Sequence, residues 1–283
     1  MASRRDFFKS ITLVSGVLAT TSVKAENETT KHRKMKIGLQ LYTLRDVIGN
    51  DLIGTLTAVS KFGYNSIEPY GFDGNFFGKS VREFRKMCND LGMDITSTHT
   101  GITAANASEY SEKAAEAGLE YLILPSFSGR PDKTLDDYKK VAQEMNQIGE
   151  ITKKSGINFG YHNHNHEFRL VEGKLPYDTL LTETNPALVS FEMDIFWVVK
   201  GGQDPLQYFE KYPGRFQTWH IKDMGNDGDS CIIGNGRIKF KDLLKQSKKA
   251  GLKRFFVEQE QYSEGTPIYC TEQSSKYIQK HLL

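Results

Sequence analysis

Cysteine is scarce in this chain: Cys88, Cys231 and Cys270 are the only three among 283 residues, and no pair has CxxC spacing. An odd, unclustered set excludes a disulfide framework and leaves room for one bridge at most. Excess charge of one sign is also missing, since 37 Lys and Arg face 35 Asp and Glu. Without a basic stripe, neither nucleic acid nor anionic lipid is called for as a partner. The longest uncharged apolar run near the N-terminus, Ile11 to Ala19, is too short to span a bilayer, so no stable membrane anchor is expected. No Gly/Ser-rich linker or charge block divides the chain beyond Lys36, and no GxGxxG follows the first apolar segment to support dinucleotide binding.

What is present begins with Ser3-Arg4-Arg5-Asp6-Phe7-Phe8-Lys9, followed by that short apolar run and by Val23-Lys24-Ala25. This pattern is that of a twin-arginine export signal ending in a small-residue cleavage site, which makes the protein exported and periplasmic. Residues 1–25 are then a signal peptide, 26–34 a polar linker and 35–283 one domain. Removing the signal takes away Arg4, Arg5, Lys9, Lys24 and Asp6, so the mature chain is close to neutral.

From Lys36 onward, strand-like and helix-like segments alternate. Strands are expected at 36–42, 64–68, 93–98, 121–124, 157–162, 188–194, 216–221 and 254–258. Helices are expected at 51–62, 80–91, 107–117, 134–154, 176–184, 205–211, 239–250 and 267–281. Ser80 and Thr134 stand as N-caps, and Gly63, Gly92, Gly118, Gly156 and Gly251 as stops. Eight such units imply a parallel sheet covered by helices, the number that closes a (β/α)8 TIM barrel of the α/β class; an open doubly wound sheet is the alternative.

Active sites of such barrels lie at the C-terminal ends of the strands. Glu68 ends the second strand and His99 follows the third. The fifth leads into His162-Asn163-His164-Asn165-His166-Glu167. Asp194 ends the sixth, His220 lies near the end of the seventh and Glu258 ends the eighth. Of the seven histidines, only His32 and His281 fall outside this rim. Asp194 stands between large apolar residues, where a charge is costly unless it is paired or bound to a cation. Imidazole and carboxylate together suit metal coordination or proton transfer. Tyr42, Tyr70, Phe196 and Trp197 would wall a sugar site. The turn Gly234-Asn235-Gly236-Arg237 would either cradle a phosphate or simply lead into the helix at Lys239.

In this order, a histidine-rich end on strand five, Met193-Asp194 on strand six, His220-Ile221-Lys222-Asp223 on strand seven and Val257-Glu258 on strand eight resemble the xylose isomerase-like barrel superfamily. Within it the chain is similar to the sugar phosphate isomerases/epimerases, including forms with a twin-arginine signal. The resemblance implies a divalent cation held by a carboxylate of strand five together with Asp194, His220 and Glu258. Strand five departs from the pattern, because His162 occupies the place of the glutamate. Either His162 is the ligand or the chain folds back to present Glu167. The Glu167 arrangement is preferred and suits Mn²⁺ or Mg²⁺, whereas added imidazole shifts preference toward Zn²⁺ or Co²⁺.

The activity so implied is that of a metal-dependent isomerase or epimerase working through an ene-diolate. Glu258, His164 and His162 are candidate bases and Lys222 holds or protonates an oxygen. Glu68, His99, His166, Trp197 and Glu260 would contact a small carbohydrate, which export makes an unphosphorylated keto-sugar or glycoside. Elimination from a 3-keto-glycoside is a rival on the same chemistry, and a non-catalytic carbohydrate-binding barrel is a rival of another class. A homo-oligomer is compatible with this reading. Export predicts that N-terminal sequencing of protein from the cell envelope finds a chain starting near Glu26; intact precursor as the sole cellular form would refute it.

Overall fold

The computed structural model describes residues 35–127 and 134–283; the expected signal peptide and linker lie outside the described residues. One parallel sheet runs through strands β1 (Gly38–Gln40), β2 (Ser66–Glu68), β3, β4 (Tyr121–Leu124), β5 (Asn158–His162), β6 (Val189–Asp194), β7 (Phe216–Ile221) and β8 (Arg254–Val257). β3 comes in two pieces, Asp94–Ile95 and Ser97–His99, separated by Thr96. The first piece pairs with β2 and the second with β4, while β1 pairs with β8. The order therefore returns on itself, and the eight strands form the TIM barrel.

The helices that cover it are α1 (Leu52–Lys61), α2 (Val81–Asp90), α3 (Ala107–Ala117), α4 (Leu135–Lys154), α5 (Pro176–Glu183), α6 (Pro205–Lys211), α7 (Phe240–Lys245) and α8 (Pro267–His281). Ser80 and Thr134 close capping boxes with Glu83 and Asp137, satisfying backbone donors that a helix start leaves orphaned. A short helix, Ile195–Lys200, was not expected. The three cysteines are free and buried. Among the described residues, no helix is long and apolar enough to cross a membrane.

Strand periodicity sorts side chains into two environments. All of β6 is buried. Phe191 packs on Tyr177 of α5 at 5.6 Å between ring centroids, and Trp219 of β7 stacks on Phe209 of α6 at 4.8 Å. The alternate positions, Glu192, Asp194 and His220, are thereby turned inward, with His220 in register with Asp194 and His162 with Glu192. Polar chemistry thus collects inside while apolar burial outside holds the barrel.

The fit of helix to barrel is close at Gly149 of α4, where an added Cβ would lie 2.4 Å from the Leu188 carbonyl oxygen. Gly149→Ala is expected to lower stability by about 1–3 kcal/mol, despite the roughly 1 kcal/mol gained in helix propensity. An unchanged or higher denaturant midpoint would show that this approach is slack.

Candidate metal centre and active site

At the C-terminal end of the barrel, three imidazoles meet one carboxylate. Glu192 Oε2 lies 2.6 Å from His99 Nε2, 3.2 Å from His220 Nε2 and 3.3 Å from His162 Nδ1. Glu68 reaches the same His220 nitrogen at 2.7 Å and accepts a hydrogen bond from Gln40 at 2.9 Å. Burial works against a charge on His220, but Glu192 and Glu258 outweigh it and hold the ring well above the ordinary imidazole range, whereas burial lowers His162. The outer nitrogens, His220 Nδ1 and His162 Nε2, face the other side of this layer. There His220 Nδ1 lies 3.1 Å from Glu258 Oε2 and 3.9 Å from Asp194 Oδ2, and His162 Nε2 lies 3.8 Å from Asp194 Oδ2.

Asp194 is held from two directions. Its Oδ1 caps the Ile195–Lys200 helix by accepting the Trp197 N–H at 3.1 Å. Its backbone pairs with the side chain of Asn163, through Asn163 Nδ2 to the Asp194 carbonyl at 3.2 Å and Asp194 N–H to Asn163 Oδ1 at 3.1 Å. Asn163 therefore ties the end of β5 to the end of β6, and Asp194 Oδ2 is left facing the imidazoles. Two carboxylates and two imidazoles converging this way fit a divalent cation, and Asp194, His220 and Glu258 bring ligand atoms within 4.8 Å of one another.

Lys222 is fully buried beside them, its Nζ 3.0 Å from Asp194, 2.7 Å from Glu258 and 2.6 Å from Glu260. Burial raises the Asp194 carboxyl to about 6 despite this lysine. Burial also works against ionisation of Glu258, but Lys222 and His220 outweigh it and hold Glu258 well below the usual carboxylate range. His99 is raised by Glu68 and Glu192 against its own burial. His164, buried and near Lys222, falls to about 3 and stays neutral.

Above this floor opens a pocket of about 370 Å³, lined by His99, His162, His164, Glu258 and Glu260 and walled by Tyr42, Tyr70 and Trp197. Several expected residues sit elsewhere. Glu68 is completely buried beneath His220 and does not line the pocket, so it supports a ring and contacts no substrate. Lys222 likewise lies below the lining, enclosed by carboxylates. His166 is outside it, 3.3 Å from Glu167, and Phe196 is buried edge-on against Trp197.

Glu167 requires a correction. The chain does fold back through a 3-10 turn, His166–Phe168, but the Glu167 carboxylate accepts hydrogen bonds from the Tyr161 hydroxyl and the His164 N–H. It groups with His164 and His166 rather than with Asp194, His220 and Glu258. The place on strand five nearest that cluster belongs to His162. The Gly234–Arg237 turn is also occupied from within: the Asp223 carboxylate accepts the N–H groups of Gly234, Gly236 and Ile238 at 2.9, 3.1 and 3.1 Å, the donors a phosphate would need.

Glu192 is the residue that sequence reasoning passed over. It stands two positions before Asp194 on one strand and so shares its face, a period-two signal present in the sequence.

A family model described as xylose isomerase-like TIM barrel matches residues 56–281. A solved sugar phosphate isomerase/epimerase from Parabacteroides distasonis is 31% identical, with a TM-score of 0.78 over 94% of this chain and 99% of its own. Inosose dehydratase of Bacillus anthracis is 30% identical over 177 residues, 56% of this chain and 59% of the relative; the chain thus spans about three-fifths of that relative. A solved IolI protein with a bound zinc atom shares the fold at 14% identity, with a TM-score of 0.70 over 87% of this chain and 97% of its own.

Burial raises the Glu167 carboxyl to about 8. Between the ordinary value near 4.5 and about 8, the folded protein binds a proton that the unfolded chain lacks, so stability is greatest at the acid end and falls as pH rises through 8. Glu167→Gln keeps the neutral shape and is expected to flatten this slope in urea midpoints measured across that range. Equal slopes in both proteins would show that Glu167 is ionised throughout.

Proposed function

The chain belongs to the xylose isomerase-like TIM barrel family, and we propose that it is a divalent-metal-dependent enzyme that removes a proton beside the ketone of a cyclic polyhydroxy compound and then expels the oxygen substituent one carbon further on. The observation that carries this reading is the Asp194–His220–Glu258 cluster, with His162 beside it, at the floor of an aromatic-walled pocket. His162, Asp194, His220 and Glu258 would hold the cation. Two imidazoles in that set move the preference from Mg²⁺ toward Zn²⁺, Co²⁺ or Mn²⁺, and the zinc of the IolI protein accords with this. When bound, the cation stabilises the negative charge that develops on the carbonyl oxygen.

The chain's own groups divide the proton work unequally. Glu258, kept ionised and lining the pocket, accepts the carbon-bound proton. His99, kept protonated by Glu192 and Glu68, delivers a proton to the departing oxygen. His164 stays neutral in the wall, 5.7 Å from Trp197 between ring centroids, and positions a hydroxyl group. A single carboxylate base opposite an imidazolium acid suits elimination, the class of reaction named in the inosose dehydratases. Asp223, filling the turn after β7, argues for an unphosphorylated substrate. Export, should the N-terminal signal act, places the enzyme where such substrates are met.

Epimerisation or isomerisation shares the first step and is the second reading, supported by the name of the Parabacteroides relative. Incubation with cyclic keto-polyols and 3-keto-glycosides in deuterated water separates the two: exchange with release of water or alcohol is expected, whereas exchange with a rearranged but intact substrate favours the epimerase. Glu192→Gln should weaken metal binding about 10–100-fold, and Asp194→Ala or His220→Ala by more. Full metal occupancy in all three would remove the centre as drawn.

A further inference from the structure

Beside the catalytic pocket lies a second cavity of about 260 Å³, and the two share Gly101 and Ser126. The lining changes character across that junction. On one side stand the histidines and acids of the metal centre; on the other are Ile102, Leu124, Phe127, Val141, Met145 and Ile148, between the ends of β3 and β4 and the flank of α4. The remaining side chains, Thr103, Ser126 and Glu144, are exposed. Gly101 belongs to both linings, and a Cβ there would meet nothing within 4 Å, so a side chain can be placed at this boundary.

We propose that this annex receives an apolar aglycone, an aryl or branched alkyl group, carried by a substrate whose keto-sugar ring occupies the catalytic pocket. The inference rests on the eliminating reading above and names its leaving group. An apolar cavity of about 150 Å³ already accepts a benzene ring, so the annex has room for a ring and its linking atom. A sugar ring alone would leave this apolar recess unused. In the reaction the bond from carbon to the aglycone oxygen breaks and its electron pair leaves with the oxygen. The proton from His99 completes a free alcohol, and the proton lost from carbon goes to Glu258. The ring keeps a double bond conjugated with its ketone, with no external oxidant or reductant.

Phenyl β-D-glucoside and D-glucose test the annex without elimination, since neither carries the ketone. Calorimetric titration is expected to show the phenyl glucoside binding at least tenfold tighter. In methionine-methyl NMR the Met145 resonance should move with the phenyl glucoside and stay in place with glucose. Val141→Phe, which fills the annex from α4, and Gly101→Leu, which closes the junction, should each abolish the difference. Equal affinities, no measurable binding of the phenyl glucoside, or an advantage that survives both substitutions would overturn the proposal. Failure of proton exchange on every keto substrate, with the binding difference intact, would instead overturn the eliminating reading and leave the annex standing.

Discussion

Three imidazole rings sharing the carboxylate of Glu192 is the interaction from which the rest of the site follows. A buried carboxylate so placed cannot be removed cheaply, because His99 would lose its hydrogen-bond partner and His220 a countercharge. Glu192 sits on the inner side of all three rings, and the outer nitrogens of His162 and His220 turn toward Asp194 and Glu258. The same contact keeps a proton on His99, at the pocket wall. One side chain thus contacts the rings of both the proposed metal set and the proposed acid.

Geometry above that layer depends on how the strand ends are joined. Asn163 binds the backbone of Asp194 through both ends of its amide, so β5 and β6 present their side chains as a unit. The Asp194 carboxylate also starts the Ile195–Lys200 helix, which places Trp197 over the pocket. Sequence neighbours of the ligands are therefore part of the scaffold that aims them. In the same way Asp223 folds the turn after β7 around itself and closes what would have been an anion site.

Much of this was legible in the sequence, and the failures have physical causes. The eight strand–helix units and the inward positions of Asp194, His220 and Glu258 could be read because strand ends and periodicity are local properties. The break of β3 at Thr96 could not, since it is set by pairing to two different neighbours. The Ile195–Lys200 helix was not read, since its start depends on the Asp194 side chain accepting the Trp197 N–H. Glu167 was misplaced because a carboxylate near a strand end says nothing about the Tyr161 hydroxyl waiting to bond it. Glu192 was readable from its parity with Asp194, but in a run of large apolar residues only the terminal acid drew notice.

Lys222 gives the centre a property of its own. Its ammonium rests on the same two carboxylate edges, Asp194 and Glu258, that would face a divalent ion. Small zinc domains unfold when their metal is withdrawn because the ligand charges are left bare. Here a resident cation already faces both acids, so in the proposed centre loss of the exchangeable ion would leave them countered. On the proposed function, metal occupancy would bear on activity more than on survival of the fold.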